Sequence, residues 1–144
     1  MCLFCKILRG EEEGYILYRD DFFTAFLDKF PVTPGHTLIT TNNHFDNILE
    51  VDDETLERVG KVVKLLGRAI KNALKADGIR VLTNVGRSSG QVIFHTHIHI
   101  IPSWEDDQDI FPNFKPRAEQ PKEYYIKLQR IIIEGIEREL KGKN

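Results

Sequence analysis

The chain is predicted to be an α+β domain: about five antiparallel strands in one sheet, one long covering helix, a short N-terminal helix and a C-terminal helix. Three observations predict this. Short β-prone runs follow one another closely between Tyr15 and Thr40, with only turns between them. A helix-period apolar stripe then runs from Asp53 to Asp77, and a second such stripe follows Pro121 after two further strand-like runs. Strands in succession, with helices inserted between and after them, suit an antiparallel sheet better than a doubly wound parallel one. At 144 residues the chain fits one domain, 1–144, with a core over about 1–103 and a C-terminal loop and helix over about 104–144.

Leu3, Phe4, Ile7 and Leu8 stand at helical spacing and stop at Gly10, which predicts the short first helix. Tyr15 to Arg19 and Phe22 to Leu27 are read as a hairpin turning at Asp20-Asp21. The segment from Asp28 to Gly35 holds Pro31 and a Pro34-Gly35 turn, so it should be a fixed loop that places His36 at the mouth of a strand running to Thr40. A polar connection containing His44 leads to the long helix from Asp53 to Asp77. Its expected buried stripe is Leu56, Val59, Val63, Leu66, Ile70 and Ala73, and its expected stop is Asp77-Gly78. Ile79 to Asn84 and Val92 to Pro102 form the last two strands, joined across the glycine- and serine-rich loop from Gly86 to Gly90. The run from Trp104 through Pro116 should be irregular. The final helix, Pro121 to about Leu140, should bury Tyr125, Leu128, Ile132 and Ile136 or Leu140, with Lys141 to Asn144 as a frayed tail.

Twenty basic against 22 acidic residues, net −2, with no basic block, argue against a nucleic-acid polymer as partner. No apolar run approaches membrane-spanning length and no leader pattern opens the chain, so no membrane is expected and the localisation is expected to be cytoplasmic. The two cysteines, spaced Cys2-x-x-Cys5, then suggest metal binding or redox chemistry more than a structural bridge.

The chemistry concentrates in His95, His97 and His99, two residues apart in an apolar, β-branched run. On a strand the three share one face, while Phe94, Thr96, Ile98 and Ile100 back them from the other. Burying three imidazoles without partners would be costly, which favours a site over a core. With His36 and His44, these account for all five histidines of the chain. Two uses of this inventory are open. The three strand histidines could ligate a water-activating metal, or Cys2, Cys5, His44 and His95 could form a closed structural zinc site that leaves His36, His97 and His99 for chemistry.

Six blocks in order resemble the histidine triad (HIT) nucleotide hydrolases and transferases, and in particular their zinc-containing, Hint-like bacterial and archaeal members. The blocks are Cys2-x-Phe4-Cys5-Lys-Ile7, Ala25-Phe26-Leu27-Asp28, Pro34-Gly35-His36-Thr-Leu, Asn84-Val-Gly86, Gly90-Gln91 and His95-Thr-His97-Ile-His99-Ile-Ile-Pro102. They cover about the first hundred residues; the last forty resemble the family only loosely. The resemblance implies zinc on Cys2, Cys5, His44 and His95. It implies that His97 attacks the α-phosphorus of an AMP-containing purine nucleotide, forming a nucleotidyl-histidine that water resolves, with His99 and His36 offsetting phosphate charge. Asn84, Gly90, Gln91 and Val92 would lie at the phosphate, with Asn84 and Gln91 as neutral donors. Asp28 would accept from the ribose hydroxyls, and Phe4, Ile7, Phe26 and Leu27 would wall the base.

Where the family usually carries serine or threonine after the Gly-Gln pair, this chain has Val92, which supplies no hydroxyl and puts protonation of an amine leaving group in doubt. The enzyme reading stands beside a non-catalytic purine-nucleotide binding or sensing module. A homodimer is also expected, from the resemblance and from Val62, Leu65 and Ala69, which give the long helix a second apolar face for a partner.

Overall fold

The computed structural model describes residues 2–106 and 116–142. Its elements are α1 (Leu3–Leu8), β1 (Ile16–Arg19), β2 (Phe23–Leu27), β3 (Thr37–Thr41), α2 (Asp53–Leu56), α3 (Val59–Ala73), β4 (Gly78–Leu82), β5 (His97–Ser103) and α4 (Lys122–Lys141). Single turns of 3-10 helix add Ile48–Glu50 and Arg87–Ser89. The strands form one antiparallel sheet in the order β1-β2-β3-β5-β4. The fold class is therefore the expected one. Among the described residues no helix is long and apolar enough to cross a membrane.

The sheet has two different faces, set by strand alternation. Ala25, Ile39 and Ile98 sit opposite one another and pack with α3 and α4 in the main core. On the other face Phe26, Leu38, His99 and Leu82 form a row across four strands, with Thr40 beside His97 in the next row. Helix α1 covers that second face, where Phe4 and Ile7 pack on Phe26 and Leu38.

The β1–β2 turn needs no glycine because the Asp20 carboxylate accepts from the amides of Phe22 and Phe23 at 2.8 and 2.7 Å. The expected helix from Asp53 to Asp77 is instead two pieces. The Arg58 amide bonds Thr55 in a tight three-residue turn, and its guanidinium lies 4.3 Å from the centre of the Phe22 ring. The helix also ends earlier than Asp77. Lys75 takes the left-handed conformation, φ 54°, and the Ala76 amide reaches back to Lys71, so a lysine does the work expected of Gly78.

Val62, Leu65 and Ala69 are buried inside the protomer, while Leu56 is exposed. The second apolar face of α3 is thus covered within the chain and offers nothing to a partner. In α4, Tyr125, Ile132 and Ile136 are buried as expected, and Leu140 is exposed. The expected irregular run at 107–115 and the end of the tail at 143–144 lie outside the described residues.

The histidine strand begins at His97, not Val92. The Thr96 amide and hydroxyl both donate to the Phe45 carbonyl, at 2.7 and 2.9 Å, while its carbonyl still accepts from the Thr41 amide at 3.4 Å, so residues 91–95 lie off the ladder. Phe94 is consequently half-exposed and not part of the strand's backing.

The approach of α4 to α3 depends on Gly135. A Cβ there would lie 2.9 Å from the Ala73 Cβ and 3.0 Å from the Ala69 carbonyl oxygen, and the latter is backbone with no freedom to yield. Gly135→Ala is expected to lower stability by about 1–3 kcal/mol, read by urea denaturation.

Candidate functional site

Two clusters meet at the end of β5. In the first, Cys2 caps α1 and Cys5 lies on it, His44 comes from the loop after β3, and His95 immediately precedes β5. Cys2 Sγ is 3.3 Å from His95 Nδ1, and Cys5 Sγ is 3.4 Å from His44 Nδ1 and 3.5 Å from His95 Nδ1. Sulfur and nitrogen ligands on one tetrahedral ion would stand ~3.5 Å apart, given bonds of about 2.3 and 2.0–2.1 Å. All four ligand atoms lie within 4.8 Å of one another.

The outer shell fits as well. His95 Nε2–H donates to the Thr41 carbonyl at 2.7 Å, and His44 Nε2 is 3.1 Å from the Asp46 carboxylate. Each bond assigns the proton to Nε2 and leaves Nδ1 as a ligand. The Cys5 amide also donates to Cys2 Sγ at 3.3 Å.

The second cluster lines a cleft of ≈ 710 Å³ between α1 and the sheet. Its histidine end is bordered by His36, His97, His99, Asn84, Gly90 and Val92, and its apolar middle by Phe4, Ile7, Phe26 and Leu38, with Asp28 alongside. Leu27 alternates to the opposite face and packs in the main core, touching only the cleft's border.

Gln91 is placed differently from expectation. Its oxygen accepts from the Gly86 amide, and its NH2 donates to the carbonyls of Asp46 and Ile93. At 2 % exposure it is a clamp joining three loop segments and not a donor into the cleft.

Hydrogen bonds fix the tautomers around the cleft. His97 Nδ1–H donates to the His95 carbonyl at 2.7 Å, which leaves Nε2 as a lone pair. The Val32 amide donates to His36 Nδ1 at 3.0 Å, so a neutral His36 carries its proton on Nε2. That proton is donated to His99 Nδ1 at 2.9 Å, which in turn places the His99 proton on Nε2.

Burial holds His36 down to about 3, helped by the neighbouring His99 and His97, and holds His99 down to about 4, helped by His97. Burial likewise lowers His97 and His95. The same desolvation pushes Asp28 up to about 6, against a hydrogen bond from the Phe30 amide. His36 and His99 are therefore held in their neutral forms, in place of the cationic ones expected to offset phosphate charge.

Asp28, His36 and His99 also stand close enough to hold an ion. The Val32 amide argues against this use, because His36 Nε2 cannot ligate without giving up its proton or breaking that bond.

A HIT domain model matches residues 9–106, about two thirds of the chain. The chain belongs to the HIT family. A crystal structure of a hypothetical histidine triad nucleotide-binding protein from Sulfolobus tokodaii is 59 % identical, with a TM-score of 0.87 over 95 % of this chain and 93 % of that one. A Zn-bound histidine triad family protein from Mycobacterium smegmatis is 27 % identical, with a TM-score of 0.86 over 99 % and 97 % of the two chains. An Arabidopsis thaliana protein named adenylylsulfatase HINT3 is 42 % identical over 106 residues, which are 74 % of this chain and 54 % of that protein.

Several features of this HIT site were not anticipated. Lys29, Phe30, Ile93 and the segment Pro116–Ala118 line the cleft as well. Phe30, an aromatic residue two positions after Asp28 in a proline-bearing loop, was a usable signal; the contact from Pro116–Ala118 was not. The pairing of His44 with Asp46 was legible as His-x-Asp, whereas the Val32 amide had no signature in the sequence.

These shifts fix how stability should respond to acid. Unfolded histidines take a proton near 6.5, but His36 and His99 resist until about 3 and 4 when folded. Their contribution is full above about 6.5 and falls as pH drops toward 4. Asp28 opposes them: raised from 3.8 to about 6, it favours the fold at low pH and loses that contribution as pH rises through 6. Melting temperature is expected to fall between pH 6 and 4, and Asp28→Asn should steepen the fall.

Proposed function

We propose that this HIT protein is a nucleotide hydrolase or transferase acting at the α-phosphate of AMP-containing substrates through a nucleotidyl-histidine. The observation that carries the reading is the His97 ring: Nδ1 is tied to the His95 carbonyl at 2.7 Å, and the opposite nitrogen is a lone pair on a residue lining the cleft. As Nε2 bonds phosphorus the ring becomes cationic, and the carbonyl at Nδ1–H stabilises that charge. His99 Nε2–H and the Asn84 amide serve as donors to the phosphate oxygens, with His36 fixing the tautomer of His99. Gly90 and Val92 border the phosphate. Asp28 accepts from the ribose hydroxyls, and Phe4, Ile7, Phe26 and Leu38 enclose a purine, with Leu27 at the border.

We assign zinc to Cys2, Cys5, His44 and His95, a closed set with a structural role. When bound, the ion cross-links α1 to the loop after β3 and to the start of β5. The same helix carries Phe4 and Ile7, so ordering the ligands also orders the base wall. Cys5→Ser is expected to lower metal content, melting temperature and AMP affinity together; normal metal content in the variant would reject the ligand set.

A homodimer is proposed through the sheet edge. β4 is the last strand in the order and leaves Val81 48 % exposed, a surface that a second copy could cover. A cytoplasmic setting is proposed with it, a compartment in which Cys2 and Cys5 would stay reduced and available as ligands.

The absence of a hydroxyl at Val92 is the one observation that favours a binding or sensing module. Trapping decides between the two readings. A phosphorus–nitrogen bond to imidazole survives alkali, so a base-quenched reaction should yield an adenylylated peptide that maps to His97. His97→Gly should lose turnover by at least about 10³-fold while retaining AMP binding. An adduct on another residue, or turnover that survives in the variant, would overturn the assignment.

A further inference from the structure

Cys2 and Cys5 carry chemistry that a purely structural role does not use. They stand three positions apart at the start of α1, both half-buried, and are the two cysteines of the chain. Their sulfurs lie within 4.8 Å of each other. Side chains three apart on a helix surface are neighbours, and Cys2 is the N-cap residue with extended backbone, so side-chain rotation and a small shift of Cys2 bring the sulfurs to bonding distance. The His44 side chain beside them is 40 % exposed, which leaves the sulfurs within reach of a small oxidant.

Helix α1 has six residues, too few to hold helical form in water by themselves. It is held by Phe4 and Ile7 against Phe26 and Leu38, by the Arg19 guanidinium on the Leu8 carbonyl at 3.2 Å, and by the two cysteines beside His44 and His95. A bridge between Cys2 and Cys5 withdraws both sulfur ligands at once and closes α1 on itself. His95 keeps its Nε2–H bond to the Thr41 carbonyl, so its own carbonyl stays where His97 needs it. The effect therefore falls on the wall formed by Phe4 and Ile7 and spares the proposed nucleophile.

We propose that Cys2 and Cys5 are a peroxide-sensitive dithiol, whose oxidation to a disulfide releases the metal and loosens the base wall of the cleft. This rests on the assignment of zinc to the four-residue cluster and of a nucleotide to the cleft. One sulfur attacks hydrogen peroxide and the O–O bond breaks, giving a sulfenic acid and water. The second sulfur then attacks the first and displaces another water. Two thiols give up two electrons and two protons, and one peroxide becomes two waters. Where the sulfurs start as metal-bound thiolates, the two protons come from solvent. A dithiol reductant reverses the oxidation by exchange.

The test titrates zinc-loaded protein with hydrogen peroxide. It follows the mass of the peptide holding Cys2 and Cys5, zinc released to a chromogenic chelator, and AMP affinity by calorimetry. The peptide should lose two hydrogens in step with zinc release. The Kd for AMP should rise about tenfold, as it does when only about a tenth of the molecules hold the competent wall. Dithiothreitol with zinc should restore both. Reduced protein stripped by chelator should take zinc back without dithiothreitol, whereas oxidised protein should not. Zinc retained through oxidation, sulfinic acids formed without a bridge, or unchanged AMP affinity in bridged protein would overturn the proposal and leave the zinc assignment standing. Protein that holds no zinc, or binds no AMP, before peroxide is added would remove the underlying reading and the proposal together.

Discussion

The bond from His97 Nδ1 to the His95 carbonyl is the constraint on which the site depends. A carbonyl inside a β-ladder is engaged by the adjacent strand, so His95 can serve His97 only because the chain leaves the ladder before it. β5 pairs with β3 as far as His97 opposite Thr40, with one further bond from the Thr41 amide to the Thr96 carbonyl, and the Thr96 amide turns instead to Phe45. Leaving the ladder also frees the His95 ring to turn toward Cys2 and Cys5. One residue thereby joins the two clusters, its side chain in the metal-type group and its backbone on the proposed nucleophile. Phe4 packs against both imidazoles, with ring centres 5.9 Å from His95 and 5.0 Å from His97, and carries the same coupling through α1.

Much of this was legible in the sequence because it follows from period and spacing. Alternation put Ile98 and Ile100 in the core and His97 and His99 opposite them, whereas the division of five histidines and two cysteines into two clusters stayed open on spacing and was implied by the family resemblance. What was not legible depends on contacts between distant segments. Thr96 meets Phe45 across 51 residues and truncates the histidine strand. Gln91 reads as a polar residue beside a phosphate loop, but its amide is consumed by Gly86, Asp46 and Ile93. The left-handed Lys75 defeated a rule that looks for glycine, and the burial of Val62, Leu65 and Ala69 required knowing that α4 folds back over α3.

Electrostatically the cleft favours uncharged side chains. Desolvation drives His36, His99 and His97 toward their neutral forms and raises Asp28 toward its own. Its histidines present N–H dipoles, while Lys29 and Arg117 are the cations among the described residues that line the same cleft. Such dipoles bind phosphate less tightly than full charges do, and they release it more readily. On the proposed reading, affinity comes from burying a base against Phe4, Ile7 and Phe26, which suits release of a nucleoside monophosphate after each cycle.

The Tyr125 hydroxyl donates to the Lys29 carbonyl at 2.6 Å, across 96 residues, and the Arg117 amide donates to Pro31 at 2.9 Å. The loop that presents Asp28 is therefore braced by the last helix and the segment before it, while the opposite wall of the cleft is α1. On a ribosome, strands and metal-type ligands would all emerge before that brace exists. The Asp28 loop would have only its own bonds to His36 and Pro102 until then, so its bracing would be completed only as the C-terminal helix docks.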